Sequence, residues 1–142
     1  MATAPNIPPI QPHICVKGGN EIGFYEAAFG AATAMKHMAD DGVRVLHANL
    51  AMFGGEVMLH DEFPKFGGDV MGPTTRGGAS LTINVNLGAP ADVDAAIARA
   101  RAAGAEVVLA AQDVFWGSRY DKIRDPFGHV WAFNAALKAG AV

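Results

Sequence analysis

One pattern of predicted strands and helices occurs twice along this chain, although the two halves share little sequence identity. Residues 11–17 and residues 80–86 are each predicted to form a short strand, and a predicted helix follows each of them. Each helix ends at a glycine, and 24 or 25 positions further on another glycine opens a last predicted strand. The four glycines are Gly30, Gly55, Gly104 and Gly128. Two copies of one βαβββ module predict an α+β fold, in which a pair of half-sheets forms a cup-shaped half-barrel.

The repeat also predicts the domain organisation. We expect a single domain over residues 1–142, with one module at 8–62, a linker at 63–78 and a second module at 79–136. The linker is rich in Gly, Pro and Thr, and the first two of these favour turns over regular elements. The proline-rich residues 1–9 should be extended, because proline disfavours helix in its own neighbourhood.

The composition is typical of a globular protein and argues against two classes of partner. Of 142 residues, 51% are apolar and 18% are charged, and the net charge is −3. The few Lys and Arg residues are scattered, whereas binding to nucleic acid or to a membrane surface calls for clustered basic residues. No stretch approaches the roughly 18 apolar residues of a membrane span. We therefore expect neither a nucleic-acid partner nor a membrane partner.

Cysteine usage and the start of the chain predict the compartment. Cys15 is the single cysteine, so no internal disulfide can form, which suits a reducing compartment. The N-terminal segment lacks the basic start and the apolar run of a signal peptide. We expect a cytoplasmic protein.

Local signals predict where the helices begin and end. Asn20 is expected to cap the first helix, because its side-chain oxygen can accept a free amide hydrogen of the first turn. Gly30 supplies the left-handed conformation that is common at a helix end. Pro90 and Asp92 suit the first turn of the second helix, where a fixed φ and a negative charge are favourable. Gly104 is expected to end that helix.

Further strands are predicted between each helix and the end of its module. They cover residues 43–53 and 56–60 in the first module, and 106–111, 120–124 and 129–133 in the second. In the last of these strands, Trp131 and Phe133 are expected to face the helices and to belong to the core.

Side-chain alternation along the first strand of each module predicts which residues line the cup. Successive strand residues face opposite sides, so the apolar sets should lie under the helices and the polar sets should face the cup. The apolar sets are Ile14 and Val16, and Leu81, Ile83 and Val85. The polar sets are Gln11, His13 and Cys15, and Ser80, Thr82 and Asn84. The alternative is that these polar residues form the solvated face of an open sheet.

Residues outside the first strands add to the predicted site. His47 and Asn49 share one face of a middle strand and can also line the cup. Trp116 and Tyr120 are the best candidates for ligand contact, because aromatic rings bury a large area. The predicted ligand-binding residues are Gln11, His13, His47, Ser80, Thr82, Asn84, Trp116, Arg119 and Tyr120.

Two of the candidate side chains leave alternatives open. Arg119 can clamp an anionic group through two hydrogen bonds, or can equally anchor its loop through Asp121 or Asp125. Cys15 faces the predicted cup, but no feature of the sequence indicates the lowered thiol pKa that a nucleophile requires. A nucleophilic Cys15 is therefore a minor alternative.

Several segments resemble a known family. The most specific are residues 23–31, at the end of the first helix, and residues 115–120 together with residues 125–131. On these motifs the chain resembles the vicinal oxygen chelate superfamily, which includes glyoxalase I, bleomycin-resistance proteins and extradiol dioxygenases. The motifs at 115–131 and the segment 61–64 resemble its PhnB-like branch in particular. The resemblance covers roughly residues 8–136.

The resemblance implies a cup in which metal-dependent members hold a divalent ion between the first and last strands of each module. Carried over by spacing, with Gly55 aligned to Gly128, the four ligand positions fall at Gln11, Leu59, Ser80 and Ala132. Leu59 and Ala132 cannot bind a metal, and Gln11 and Ser80 would be weak ligands. We therefore expect no metal and no other cofactor, with a divalent metal at a displaced site as the alternative.

His13 and His60 are the residues around which a displaced metal site would be built. His13 lies two residues beyond Gln11 on the same face of the first strand. His60 follows Leu59 and is expected to face the other side of its strand unless the strand bulges. The more ordinary role for either imidazole is a hydrogen bond to a ligand or to the protein.

Three functional hypotheses follow, and whether the protein is an enzyme stays open. The favoured one is a metal-free small-molecule binding protein that holds an organic ligand in the cup, and the resemblance implies a homodimer. The second is a metal-dependent lyase, isomerase or dioxygenase that uses the displaced site. The third is a dimeric scaffold whose cup is filled by apolar side chains.

Overall fold

The computed structural model describes residues 8–66 and 70–138, so most of the predicted extended start lies outside the described residues. Module one contains β1 (His13–Val16), α1 (Glu21–Phe29), β2 (Ala32–Met38), β3 (Val45–Met52) and β4 (Gly55–Asp61). A 3-10 turn (Pro64–Phe66) and a short helix, α2 (Pro73–Arg76), follow. Module two contains β5 (Thr82–Asn86), α3 (Pro90–Ala102), β6 (Glu106–Val114), β7 (Ser118–Arg124) and β8 (Val130–Ala136). The predicted βαβββ order is confirmed in both modules.

Each module forms one open, four-stranded sheet. Sheet one has the strand order β1-β4-β3-β2, and sheet two has the equivalent order β5-β8-β7-β6. In both sheets the first strand of the module runs parallel to the last strand, and the remaining pairs are antiparallel. The predicted α+β class and the repeat are therefore confirmed at the level of strand pairing.

The start of α1 differs from the prediction, whereas its end agrees with it. Asn20 precedes the helix in a left-handed conformation, with φ 57°, and its side chain makes no capping hydrogen bond. The expected cap is absent because an N-cap residue accepts the amide hydrogen from an extended backbone. Gly30 ends the helix with φ 66°, as predicted. None of the helices in the described ranges is long and apolar enough to span a membrane.

A shared aromatic core joins the two modules. The ring of Phe29 on α1 lies 4.8 Å from that of Trp131 and 5.9 Å from that of Phe133, measured between centroids. Tyr25 donates a hydrogen bond of 2.5 Å to Asp125, which also accepts one of 2.9 Å from the Trp131 indole. The core positions of Trp131 and Phe133 are confirmed, since they are 1% and 0% exposed. Because α1 of module one packs on β8 of module two, the modules share one core.

Two buried carboxyl groups connect α1 to β4. Glu21 and Asp61 are 1% and 5% exposed, and their side chains hydrogen-bond to each other. Asp61 also accepts the amide hydrogen of Val45 at 2.7 Å, and Glu21 accepts that of Gly19 at 3.0 Å. Burial, with the Glu21 hydrogen bond second, raises the pKa of Asp61 to about 7. A carboxyl–carboxyl hydrogen bond needs a proton on one partner, so this pair is sensitive to pH.

The segment between the modules is anchored at both sides. The Glu62 carboxylate accepts hydrogen bonds from the amide of Gly72 at 2.8 Å and from the hydroxyl of Thr75 at 2.6 Å. On the other side, a Cβ placed on Gly128 would lie 2.7 Å from the Cβ of Pro73. The short helix α2 therefore packs against the end of β4 and against the turn before β8.

Strand pairing corrects the alignment of the two modules by one residue. Ile14 pairs with Leu59, and the equivalent Ile83 pairs with Trp131. Leu59 is thus equivalent to Trp131, and both are buried in the helix-facing core. The expected equivalence of Leu59 with Ala132 is wrong, because Gly55 is the first residue of β4 whereas Gly128 lies in the turn before β8. His60 is the residue that corresponds to Ala132.

Leu81 is a second exception to the predicted faces. It was expected under α3, but its side chain is 68% exposed, whereas Val85 is 8% exposed. The reason is that β5 begins at Thr82, so Leu81 precedes the strand and the helix does not cover it. Ile83 packs against the core as expected.

Candidate functional site

Three histidines meet on the face of sheet one that lies opposite the helices, which we call open face one. The imidazole ring of His13 on β1 contacts that of His60 on β4 at 5.0 Å and that of His47 on β3 at 5.4 Å, both edge to face. His60 therefore lies on the same face as His13, and the expectation that it faces away from the predicted cup is wrong. This expectation failed for the same reason as the equivalence of Leu59 with Ala132, because the last strands of the two modules were aligned one residue out of register.

A chain of hydrogen bonds extends this histidine cluster across open face one. Glu56 accepts a hydrogen bond of 3.0 Å from Gln11 and one of 2.6 Å from Asn49. The carbonyl oxygen of the Asn49 side chain lies 2.5 Å from the Nε2 atom of His47. Because Gln11, Asn49 and His47 restrain one another through Glu56, their remaining donors and acceptors are held in place.

The surroundings of His13 and Cys15 favour the neutral forms of these two side chains. Partial burial lowers the pKa of His13, and the neighbouring His60 and His47 lower it further. Burial raises the pKa of Cys15 to about 11, with Glu62 and Asp61 adding to the effect. His13 is therefore a neutral hydrogen-bonding group near pH 7, and the Cys15 thiol stays protonated, which disfavours a nucleophilic role.

The corresponding face of sheet two, open face two, presents amides beside aromatic rings. The Asn86 side-chain oxygen accepts hydrogen bonds from Asn84 at 3.0 Å and from Asn134 at 3.3 Å. The Trp116 indole nitrogen lies 3.5 Å from the Asn134 oxygen, and its ring contacts that of Tyr120 at 5.2 Å. Trp116 is 46% exposed. The surface can therefore contact a flat apolar group and can donate or accept hydrogen bonds without a charge.

Arg119 lies on the other side of sheet two from Trp116 and Tyr120. Its guanidinium donates hydrogen bonds of 2.7 Å to Asp94 on α3 and of 3.0 Å to Asp113 on β6. These contacts raise its pKa. The partners expected for a structural anchor, Asp121 and Asp125, are instead occupied by the Phe133 amide and by Tyr25 and Trp131.

Ser80 and Thr82 take different positions near the start of β5. Ser80 precedes the strand and lines a cavity of about 420 Å³ that His13 and Ile14 of β1 also line. Thr82 is half-buried and pairs with Val130 on β8. The chain thus brings His13 close to Ser80 at the junction of the modules.

The structure divides the predicted ligand-binding residues between the two sheets. Gln11, His13 and His47 lie on open face one, and Asn84, Trp116 and Tyr120 lie on open face two. In the part of the chain that the structure describes, no hydrogen bond or ring contact joins these two sets. One chain therefore presents two polar surfaces.

The residues present do not fit the metal site that the fold family implies. In the corrected register the last-strand positions fall at His60 and Ala132, and while His60 offers an imidazole nitrogen, Ala132 offers no donor atom. Among residues 8–66 and 70–138, no three His, Cys, Asp or Glu side chains converge on a point where they could hold a metal ion. His13 and His60 alone would leave most of a coordination sphere to other ligands.

Three polar residues of the open faces were not predicted from the sequence. Glu56 links the network on face one, and Asn86 and Asn134 link the network on face two. The position of Glu56 could have been predicted from side-chain alternation. Glu56, Met58 and His60 lie on one face of β4, as Gln11 and His13 lie on one face of β1. Correct alignment of the last strands would have found it.

Comparison with known proteins places this arrangement among relatives. The family model described as Glyoxalase/Bleomycin resistance protein/Dioxygenase superfamily matches residues 21–133. Protein Rv0887c of Mycobacterium tuberculosis is 40% identical over 133 residues, which cover 92% of this chain and 76% of that protein.

Solved structures share the fold. TioX from Micromonospora sp. ML1 aligns with a TM-score of 0.66 and 27% identity, covering 90% of this chain and 99% of TioX. A PhnB protein from Bacillus cereus aligns with a TM-score of 0.66 and 16% identity, covering 91% of this chain and 100% of that protein. The second likeness is one of fold alone.

Proposed function

The chain belongs to the glyoxalase/bleomycin resistance protein/dioxygenase superfamily, and we propose that it is a small-molecule binding protein with a metal-free site for an organic ligand. The ligand would contact open face one and open face two. Fold alone does not supply a function, so the proposal rests on the chemistry of these faces.

The hydrogen-bonded chain on open face one carries the proposal. Glu56 bonds to Gln11 and Asn49, and Asn49 bonds to His47, so the polar atoms offered to a ligand are restrained by their neighbours. Restrained groups lose little conformational entropy when a ligand binds. A merely solvated sheet face has no need of such a network.

Open face two supplies the apolar contact. Trp116 and Tyr120 present two rings beside the linked side chains of Asn84, Asn86 and Asn134. Ligand sites commonly combine apolar walls with a few placed polar groups, and this surface has that composition. The ligand we propose is therefore a largely uncharged organic molecule with a flat part.

A homodimer completes the cup in this proposal. Each chain carries its two open faces on separate sheets, and two-fold symmetry can bring face two of one protomer opposite face one of its partner. Two equivalent cups would then form per dimer. The exposed aromatic surface at Trp116 supports this arrangement, because contact with a partner would cover it.

Two finer assignments accompany the function. The motifs at residues 115–120 and 125–131 support membership of the PhnB-like branch. The single, buried Cys15 supports a reducing, cytoplasmic setting.

Metal analysis and ligand binding test the proposal together. Protein purified without chelators or metal-affinity steps should contain well under one divalent ion per chain, and a thermal-shift screen of neutral aromatic amides and lactones should give stabilising ligands.

Trp116→Ala and Asn49→Ala should each weaken the binding of these ligands about tenfold, whereas Arg101→Gln on the outer surface of α3 should not. One tightly held ion per chain that is lost in His13→Ala would favour the metal-dependent alternative instead.

A further inference from the structure

Glu56 brings a negative charge into the hydrogen-bonded network of open face one. Gln11 and Asn49 both donate to the same carboxylate oxygen, Oε1, at 3.0 and 2.6 Å. Both donors are neutral amides, and among residues 8–66 and 70–138 no Lys or Arg side chain forms an ion pair with Glu56. The charge of Glu56 is therefore solvated by amide groups but not neutralised.

The second carboxylate oxygen of Glu56, Oε2, is open to an occupant of this face. In the part of the chain that the structure describes, the hydrogen bonds of Glu56 all end on Oε1. Glu56 is half-buried, yet Oε2 is not a sequestered atom, since the buried side-chain atom that lacks a partner in those residues is Oδ2 of Asp121. A carboxylate oxygen only accepts hydrogen bonds, so Oε2 selects a group that donates one.

Hydrogen-bond donors lie beside this acceptor. A side-chain amide carries two N–H hydrogens, and the nitrogens of Gln11 and Asn49 each use one of them on Glu56. The oxygen of the Asn49 side chain is held at 2.5 Å from the Nε2 atom of His47, which restrains the amide plane. An occupant of open face one thus meets a carboxylate acceptor and an amide donor next to each other.

We propose that open face one recognises the amide edge of a lactam or primary amide, in which an N–H group and a carbonyl oxygen stand side by side. Oε2 of Glu56 accepts the hydrogen bond of the ligand N–H, and the free N–H of Asn49 donates to the ligand carbonyl. Recognition of this edge rests on the proposed function and deepens it, because it names the polar group that the uncharged ligand brings to face one.

The amide edge satisfies both sides of this pair, whereas related groups satisfy one. A lactone offers the carbonyl acceptor without a donor, and an ammonium group offers donors without an acceptor. Hydrogen bonds to a charged carboxylate are also stronger than those between neutral groups, so the N–H contributes more than the carbonyl does. An aromatic ring fused to the amide supplies the flat part that contacts Trp116 and Tyr120 in the proposed cup.

Three probes of matched shape test this recognition on the intact wild-type chain. 2-Quinolone carries a lactam, coumarin has oxygen in place of the N–H group, and N-methyl-2-quinolone has a methyl group in place of the hydrogen. In calorimetric titrations at pH 7, 2-quinolone should bind about tenfold more tightly than either of the others, because these leave the carboxylate oxygen desolvated and unpaired.

The outcomes separate this recognition from the proposed function. Coumarin that binds as tightly as 2-quinolone, or more tightly, would overturn the assignment of an amide edge and leave a metal-free binding protein standing. Failure of all three probes to bind would refute the proposed function and this recognition with it.

Two variants and one spectroscopic readout locate the contact. Glu56→Gln presents an N–H where Oε2 was and should reduce the preference for 2-quinolone over coumarin to less than about twofold. Glu26→Gln removes the same charge from an exposed position on α1 and should keep the wild-type preference. The side-chain amide NMR signals of Gln11 and Asn49 should shift when 2-quinolone is added, whereas those of Asn20 before α1 should not. An undiminished preference in Glu56→Gln, or unshifted signals of Gln11 and Asn49 in the wild-type chain, would refute the contact with Glu56.

Discussion

The imidazole rings of His13 and His60 stand edge to face with their centroids 5.0 Å apart, although the residues lie on different strands. The parallel pairing of β1 with β4 places both on open face one, next to His47. The neighbouring His60 lowers the pKa of His13, since two positive charges at this distance repel.

The first prediction concerns this repulsion. Replacing His60 with Ala should raise the pKa of His13 toward its ordinary value, because His60 is the larger of the two charged neighbours that lower it. NMR titration of the His13 ring protons measures the change. His37→Ala, on the edge strand β2, is the matched control and should leave the pKa of His13 unchanged. An equal change in the pKa of His13 in both variants would contradict a specific effect of His60 on His13.

The second prediction is a loss of stability with rising pH. The pKa of Asp61 in the folded protein, about 7, lies above its ordinary value of 3.8, so the folded state holds a proton that the unfolded state releases more readily. The resulting stabilisation is fully present below pH 3.8 and is lost as the pH rises through about 7. Asp121, whose pKa burial raises to about 6, acts in the same direction.

Replacing Asp61 with Asn isolates the contribution of the carboxyl pair. The amide can donate to Glu21 without titrating, so Asp61→Asn should flatten the decline in unfolding free energy between pH 4 and pH 7.5. Urea denaturation at several pH values measures the slope. Asp40→Asn, at an exposed position, should retain the wild-type slope; a wild-type slope in Asp61→Asn would exclude the pair as its source.

The third prediction tests the contact between α2 and the turn at Gly128. Gly128 and Gly54 both have positive φ, 92° and 76°, but only at Gly128 would an added Cβ meet another atom within 4 Å, the nearest being 2.7 Å away on Pro73. Alanine at Gly54 should cost about 1–2 kcal/mol for the left-handed backbone. Alanine at Gly128 should cost about 1–3 kcal/mol more, because overpacking adds to the strain. Equal losses in chemical denaturation would show that the contact with Pro73 is unimportant.

The fourth prediction compares two tyrosines. Tyr25→Phe removes a buried hydrogen bond to Asp125 and should destabilise the fold by about 1–3 kcal/mol, because the carboxylate then keeps only part of its hydrogen bonding. Tyr120→Phe, on open face two, should change stability by less than about 0.5 kcal/mol, as is usual for surface positions. Thermal and urea unfolding of both variants provide the measurement, and the reverse ranking would contradict the core described above.

The prediction of the site failed where it depended on an alignment through a turn. Gly55 and Gly128 both precede a last strand, but the first belongs to β4 and the second does not belong to β8. One residue of offset moves a side chain to the opposite face of a sheet. Leu59 was therefore assigned to the cup and His60 away from it, and Glu56 was overlooked.

The sequence alone determined the two-module α+β architecture, because strand and helix periodicity, helix-ending glycines and the spacing between them are local properties. It also determined that Trp131 and Phe133 belong to the core, since alternation within one strand is local as well. Only the tertiary structure decided which residues share a face across strands, that Arg119 is bonded to Asp94 and Asp113, and that α2 packs against the turn at Gly128. Those relationships depend on hydrogen-bond register and packing between segments far apart in the chain, which spacing along the chain does not specify.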